Sequence, residues 1–182
     1  ISAVVDRMNE TAGDAVIRAA MVHLNLVMVH PFRDGNGRMA RCLQSLVLAA
    51  EGTLAPVFMS VEEYLGHNTQ TYYDVLARVG GGSWQPERDT RPWIRFMLTA
   101  HLRQAQTLQQ RVRASERLWV QLEALVVQRG LPERSLPALF DATNGYRLRR
   151  STYAAALADN GDVLSDQTAT RELKALVDAG VL

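Results

Sequence analysis

The sequence predicts an all-α fold. Three observations support this: helical spacing of apolar residues along most of the chain, helix caps where that spacing begins, and almost no alternating strand pattern. With 182 residues and a 47% hydrophobic fraction, the chain can bury a sizeable core and has room for one domain and a small second one.

The elements follow in order. Asp14 caps a helix over Ala15–Val29 that is apolar nearly all round, the mark of a central buried helix. Pro31 ends it, because a proline disfavours helical geometry in the residue before it. A short loop, Pro31–Asn36, leads into a second apolar helix from about Gly37 to Glu51, with Gly52 as the stop. Ser60 caps a helix through Glu63 and Tyr64. Another spans Asn68–Val79 and ends at Gly80, before a Gly80-Gly81-Gly82-Ser83 loop. Thr90 opens a long helix to about Arg113 or beyond, with Trp93, Ile94, Phe96, Met97 and Leu98 on its apolar side.

Composition shifts after Gln128. Arg129–Arg134 reads as a linker, which divides the chain into a core over 1–128 and a smaller module over 129–182. The module has short helices at Leu136–Ala142 and Ser151–Leu157 and a turn at Asn160, Gly161 and Asp162. Ser165 caps a last helix through Ala179, ended by Gly180, with Leu173, Leu176 and Val177 as its apolar stripe. This is helix–turn–helix spacing, and a wing would begin after Val181-Leu182.

Bulk properties exclude several function classes. No apolar run reaches bilayer-spanning length, since His23 and Asn25 interrupt the longest candidate. A net charge of +1 gives no global attraction to nucleic acid or acidic membranes. Cys42 is the only cysteine, so no internal disulfide forms and a reducing cytoplasm fits. It reads as inert core on the apolar side of its helix. No Cys/His spacing supports a zinc site. The chain opens at Ile1 without an initiator methionine, as expected of a fragment or trimmed product.

The chemistry concentrates in His30-Pro31-Phe32-Arg33-Asp34-Gly35-Asn36-Gly37-Arg38-Met39-Ala40-Arg41. Gly35 and Gly37 flank an asparagine at a helix entrance, where free backbone N–H groups form a phosphate cradle. Arg38 and Arg41 share one helix face and suit a polyphosphate. Asp34 offers a hard carboxylate to Mg²⁺ bridging phosphates, and His30 can serve as general base. Cradle, metal ligand, charge clamp and base together describe phosphoryl or nucleotidyl transfer. Each part alone reads as a turn, a structural histidine or a solvated face; their joint occurrence in twelve residues makes that reading improbable.

This segment resembles the Fic family signature, H-x-F-x-[DE]-G-N-G-R-x-x-R, without departure. The resemblance continues through Leu54-Ala55-Pro56-Val57, Ser60, Asn68, Tyr72-Tyr73, Leu76 and Pro92-Trp93-Ile94, over about Ile1–Arg113. Ser165, Thr168, Ala169, Arg171, Leu173, Leu176 and Gly180 more weakly resemble the winged-helix module behind some bacterial Fic domains. The implied fold is a Fic-type helical bundle followed by a small winged helix with its wing truncated.

The resemblance also implies an activity: a protein adenylyltransferase that moves AMP from ATP to a Tyr, Thr or Ser hydroxyl of a target protein. His30 would deprotonate the hydroxyl, and Asp34 would hold Mg²⁺. Gly35, Asn36 and Gly37 would line the anion hole, with Arg38 on the β/γ-phosphates. Arg41 would stabilise those phosphates or meet a regulatory glutamate. Phe32, counted with the nucleotide site, is expected to pack the loop onto the core. Tyr72 and Tyr73 either neighbour the base or pack inside. Gly37 stands where a phosphorylating relative has lysine. UTP or CDP-choline as donor, and an enzyme that removes AMP, are the alternative reactions.

The family's inhibitory pattern [ST]-x-x-x-E-[GN] is absent from residues 1–182, with Thr168-x-x-x-Glu172 coming closest but followed by Leu173. An inhibitory helix, where there is one, is expected upstream of Ile1 or on another chain, and the target-binding flap before Ile1. ATP and target proteins are the expected partners, with a homodimer as a further one. A DNA-binding regulator is the competing class, through Arg147, Arg149, Arg150 and Arg171. His23, seven residues before His30 on the buried helix, reads as a hydrogen-bonded core histidine. His67 and His101 show no partner spacing and read as surface residues.

Overall fold

The computed structural model describes residues 5–6, 13–52, 60–81, 85, 87–159 and 164–182. The expected stretch Leu54–Val57, the Gly82-Ser83 part of the glycine loop and the Asn160–Asp162 turn lie outside the described residues. Every extended element among the described residues is helical, and none is a strand. No helix there is long and apolar enough to cross a membrane. Two compact units are present, Ile1–Gln109 and Gln110–Leu182.

In the N-terminal unit, helix α1 (Ala15–Val29) begins where Asp14 Oδ1 accepts hydrogen bonds from Val16 N (2.9 Å) and Ile17 N (3.2 Å). Helix α2 (Asn36–Ala50) packs along α1, with Ala19 and Val22 against Val47 and Leu48. Arg18 and Glu51 form an ion pair between the same two helices. The other side of α1 faces a larger core, where Ala20 and Leu24 meet helix α3 (Glu62–His67), helix α4 (Thr69–Gly80) and helix α5 (Arg91–Arg129). Burial on both sides explains why α1 is apolar around most of its circumference.

Trp93 anchors this core. It is fully buried, and its Nε1 donates to the Ala20 carbonyl at 2.7 Å, so the indole N–H is satisfied. Gly80 of α4 lies against Met28 of α1, and a Cβ there would overlap the Met28 sulfur.

Helix α5 is longer than its apolar pattern suggests, with 39 residues running past Arg113 to Arg129. Trp93, Phe96, Met97 and Ala100 serve the first core, while Leu122 and Val126 belong to the core of the C-terminal unit. There a 3-10 turn (Glu133–Ser135) follows Gly130, and helices α6 (Leu136–Thr143), α7 (Arg150–Asp159) and α8 (Asp166–Asp178) complete the unit. Ser165 caps α8 by accepting from Thr168 N at 3.2 Å.

The buried face of α8 differs from the expected stripe. Ala169, Glu172 and Leu176 are buried with Leu173 at their margin, whereas Val177 is 57% exposed. A residue adjacent to Leu176 is rotated about 100° from it, and the buried face turned the other way to take in Glu172. That carboxylate accepts from Tyr153 Oη at 2.9 Å and pairs with Arg134. These partners hold its pKa below the usual carboxylate range: burial by itself works to raise it, and the Arg134 and Tyr153 hydrogen bonds outweigh that.

Candidate active site

The loop between α1 and α2 is shaped at both ends. His30 closes α1 in the left-handed region, φ 49° and ψ 55°, with its N–H on the Leu26 carbonyl at 2.9 Å. It is the one non-glycine residue with positive φ among the described residues. Such a conformation costs free energy and is held by its surroundings. The exposed His30 ring lies with Nδ1 3.3 Å from the Val27 carbonyl oxygen. A carbonyl oxygen only accepts, so Nδ1 is the donor in this contact, and a neutral ring so placed has Nε2 as its acceptor. That is the tautomer a general base needs.

At the far end, Gly35 precedes α2 with φ 86°, a conformation that favours glycine. No side chain caps the first turn of α2, so the positive end of the helix stays available to an anion. Asn36 is 4% exposed and fastens the loop across its base. Its Oδ1 accepts from Phe32 N at 2.9 Å, and its Nδ2 donates to the Phe32 carbonyl at 2.6 Å. The asparagine side chain is thereby spent on loop shape, which leaves its backbone N–H as its contribution to a cradle.

Asp34 is exposed. One carboxylate oxygen accepts from Gly35 N at 2.6 Å and the other from Arg38 Nη2 at 3.0 Å. Arg41 extends so that Nη1 is 3.5 Å from where a Gly37 Cβ would stand, and its Nε donates to Glu62 Oε1 at 3.0 Å. Glu62, at the start of α3, was not among the residues singled out from the sequence. Its 21-residue separation from Arg41 leaves no local spacing signal.

Several expectations need correction. Phe32 is 46% exposed rather than packed on the core. The Asn36 side chain, not the phenyl ring, fixes the backbone there. Tyr72 takes the core alternative, buried among His23, Trp93 and Phe96, while Tyr73 is exposed. Cys42 is exposed. The buried face of α2 runs through Asn36, Ala40, Gln44, Val47 and Leu48, and Cys42 is about 200° around the helix from Ala40 and Gln44. His101 is half-buried and within 2.9 Å of Gln44 Nε2, so it is a partnered residue rather than a free surface one.

His23 matches its expected role. It is fully buried, with Nδ1 2.7 Å from Gln44 Oε1 and Nε2 3.1 Å from Tyr72 Oη. Burial lowers its pKa to about 4, the Gln44 hydrogen bond works the other way, and the nearby Arg41 charge lowers it further. Burial likewise raises Tyr72 to about 12.

The Fic/DOC family model matches residues 1–48, which contain the whole loop. Residues 1–48 of this chain are thus similar to the Fic/DOC family over the segment that carries the motif. It is 38% identical over 96 residues to protein adenylyltransferase fic-1 of Caenorhabditis briggsae, a match covering 51% of this chain and 17% of that protein. The same-named protein of Caenorhabditis elegans is 37% identical over 97 residues, covering 52% and 17%. Protein adenylyltransferase Fic of Nematostella vectensis is 38% identical over 79 residues, covering 43% and 16%. The matched part therefore spans less than a fifth of each of these Fic relatives.

Proposed function

We propose that this chain is the catalytic part of a protein adenylyltransferase. The reaction transfers AMP from ATP to a Tyr, Thr or Ser hydroxyl of a target protein and releases pyrophosphate. The observation that carries this reading is the placement of the His30 ring, with Nδ1 against the Val27 carbonyl and Nε2 turned away from it. With Nδ1 as the donor there, Nε2 of the neutral ring can accept a proton at a loop that opens into an uncapped helix start. His30 Nε2 takes the hydroxyl proton as that oxygen bonds to the α-phosphorus. The bond from that phosphorus to the pyrophosphate oxygen breaks. Backbone N–H groups at Gly35–Gly37, with Arg38 and Arg41, stabilise the charge on the phosphates. Tyr73, exposed on α4, is the tyrosine assigned to neighbour the base.

The donor set at Asp34 fits Mg²⁺ that arrives with the nucleotide. Among the described residues, no three His, Cys, Asp or Glu side chains gather to hold a metal. A lone exposed carboxylate suits an ion that takes its remaining ligands from phosphates and water. When bound, Mg²⁺ would neutralise phosphate charge. Asp34→Ala is therefore expected to weaken Mg²⁺-nucleotide binding about tenfold, or about 1.4 kcal/mol. Calorimetry with and without EDTA checks this; parent affinity that ignores EDTA removes the metal assignment.

The reaction itself is tested on the full-length protein with labelled ATP. Label at the α-phosphate should mark protein, and label at the γ-phosphate should not. Transfer of γ-label would make the enzyme a kinase, and product from UTP or CDP-choline alone would change the donor. The C-terminal unit is proposed as a winged-helix module for protein contacts or dimerisation. Its arginines argue less for DNA, since Arg150 lies 3.7 Å from Asp166. A cytoplasmic site of action is part of the same proposal, as the exposed single thiol of Cys42 suits a reducing compartment.

A further inference from the structure

Four side chains form one unbroken hydrogen-bonded row inside the N-terminal unit: Tyr72, His23, Gln44 and His101. Three of them are buried, and Gln44 is only 2% exposed. With the Gln44 amide in this orientation, every direction in the row is set. Gln44 Oε1 only accepts, so His23 carries its hydrogen on Nδ1. The neutral ring then offers Nε2 as acceptor to the Tyr72 hydroxyl. Gln44 Nε2 only donates, so His101 receives on Nε2. No donor faces a donor anywhere along the row.

The placement of the row bears on the loop. His23 lies seven residues, two turns, before His30 on α1, and Gln44 lies on α2, the helix that opens with the cradle. Its central bond, 2.7 Å long, therefore ties together the two helices that flank the loop. The other ties between those helices are the Arg18–Glu51 ion pair, at the end of α2 far from the cradle, and the apolar core of Ala19, Val22, Val47 and Leu48. Apolar contact of that kind is non-directional and tolerates sliding, whereas a buried hydrogen bond of defined geometry does not. Arg41, one turn before Gln44 on α2, is near enough for its charge to act on both His23 and Tyr72.

We propose that the buried Tyr72–His23–Gln44–His101 row is a positioning device that sets the register of α1 against α2 and so holds His30 at a fixed place relative to the cradle. Gln44 and His23 are its positioning residues; they touch no reacting atom. The consequence for catalysis rests on the adenylyltransferase reading, while the register claim stands apart from it.

The test uses the full-length protein and two variants. Gln44→Met keeps volume and removes both polar partners. Val47→Ala weakens the same α1–α2 contact without touching the row, and serves as the stability-matched control. Gln44→Met is expected to lower kcat by roughly 10- to 100-fold, the range a misplacement of about 1 Å can bring. Its KM for ATP should stay near the parent value, because the cradle and arginines remain on α2. Val47→Ala should lower the melting temperature comparably and leave kcat near the parent value. Equal effects of the two variants on kcat would overturn the proposal, as would a folded Gln44→Met with parent kcat. If the parent itself transfers nothing, the adenylyltransferase reading fails instead. The imidazole NMR resonances of His30 then decide the register claim. They should move in Gln44→Met and not in Val47→Ala, and unmoved resonances in both would refute it.

Discussion

Replacing His30 is expected to lower protein labelling by about 100- to 10,000-fold, the range a positioned general base supplies, while ATP affinity changes little. The separation follows from the layout of the loop. The ring hangs at the end of α1, and the groups assigned to bind phosphate sit on α2 and its leading residues. Two variants are needed because His30 occupies the left-handed region. Alanine accepts that backbone poorly, whereas asparagine visits it readily. His30→Asn therefore keeps the loop shape and lacks the base, and both variants should fail alike. Labelling from α-labelled ATP on the full-length protein reads the first effect, and calorimetry with ATP reads the second. Labelling by His30→Asn at the parent rate would remove His30 as the base.

Local signals in the sequence were strong where one residue type has one physical use. Asp14 before an apolar run, Pro31 after it, and Ser165 before another run mark helix ends, and the caps form as expected. The loop was legible because glycine, asparagine, carboxylate and arginine crowd into twelve residues. The phase of a helix is less legible than its ends. Cys42 and Val177 sit next to apolar residues in sequence, yet their helices turn them outward. The burial of Glu172 has no local signal for the opposite reason, since a charged residue is buried only when partners such as Arg134 and Tyr153 arrive from other elements.

Long-range partners were beyond reach of spacing. His101 is 57 residues from Gln44, and Glu62 is 21 from Arg41. Nothing local distinguishes these from solvated side chains. His23 was readable as a buried histidine from its apolar helix, but not the identity of what satisfies it. The surroundings of His23 bear on the site, because the same helix leads to His30 and the Arg41 of the motif acts on His23.

Acid should destabilise the N-terminal unit through His23 in a defined pH window. The folded ring is held at about 4, against an ordinary value of 6.5, chiefly because burial disfavours its charged form. Between those values the unfolded chain binds the proton and the folded chain does not, so stability falls as pH drops from 6.5 towards 4. Below about 4 both states are protonated and the penalty is complete, of order 3 kcal/mol for a shift of this size. The surrounding groups do not cancel it. Tyr72 stays neutral throughout, Gln44 does not titrate, and Arg41 keeps its positive charge and opposes a second one on His23. His101, also lowered by burial, adds in the same direction. Two acidic groups act elsewhere. Asp89 is held at about 2 by its hydrogen bonds to Arg91, and Glu172 belongs to the other unit, so both lose their contributions only as pH falls below ordinary carboxylate values. Urea unfolding at a series of pH values, with NMR titration of the His23 ring, checks the expectation. The ring should remain neutral down to the region of pH 4 while unfolding free energy declines from pH 6.5. A His23 ring that titrates near 6.5 in the folded protein, with no slope in stability over that interval, would show that it is not held neutral by burial.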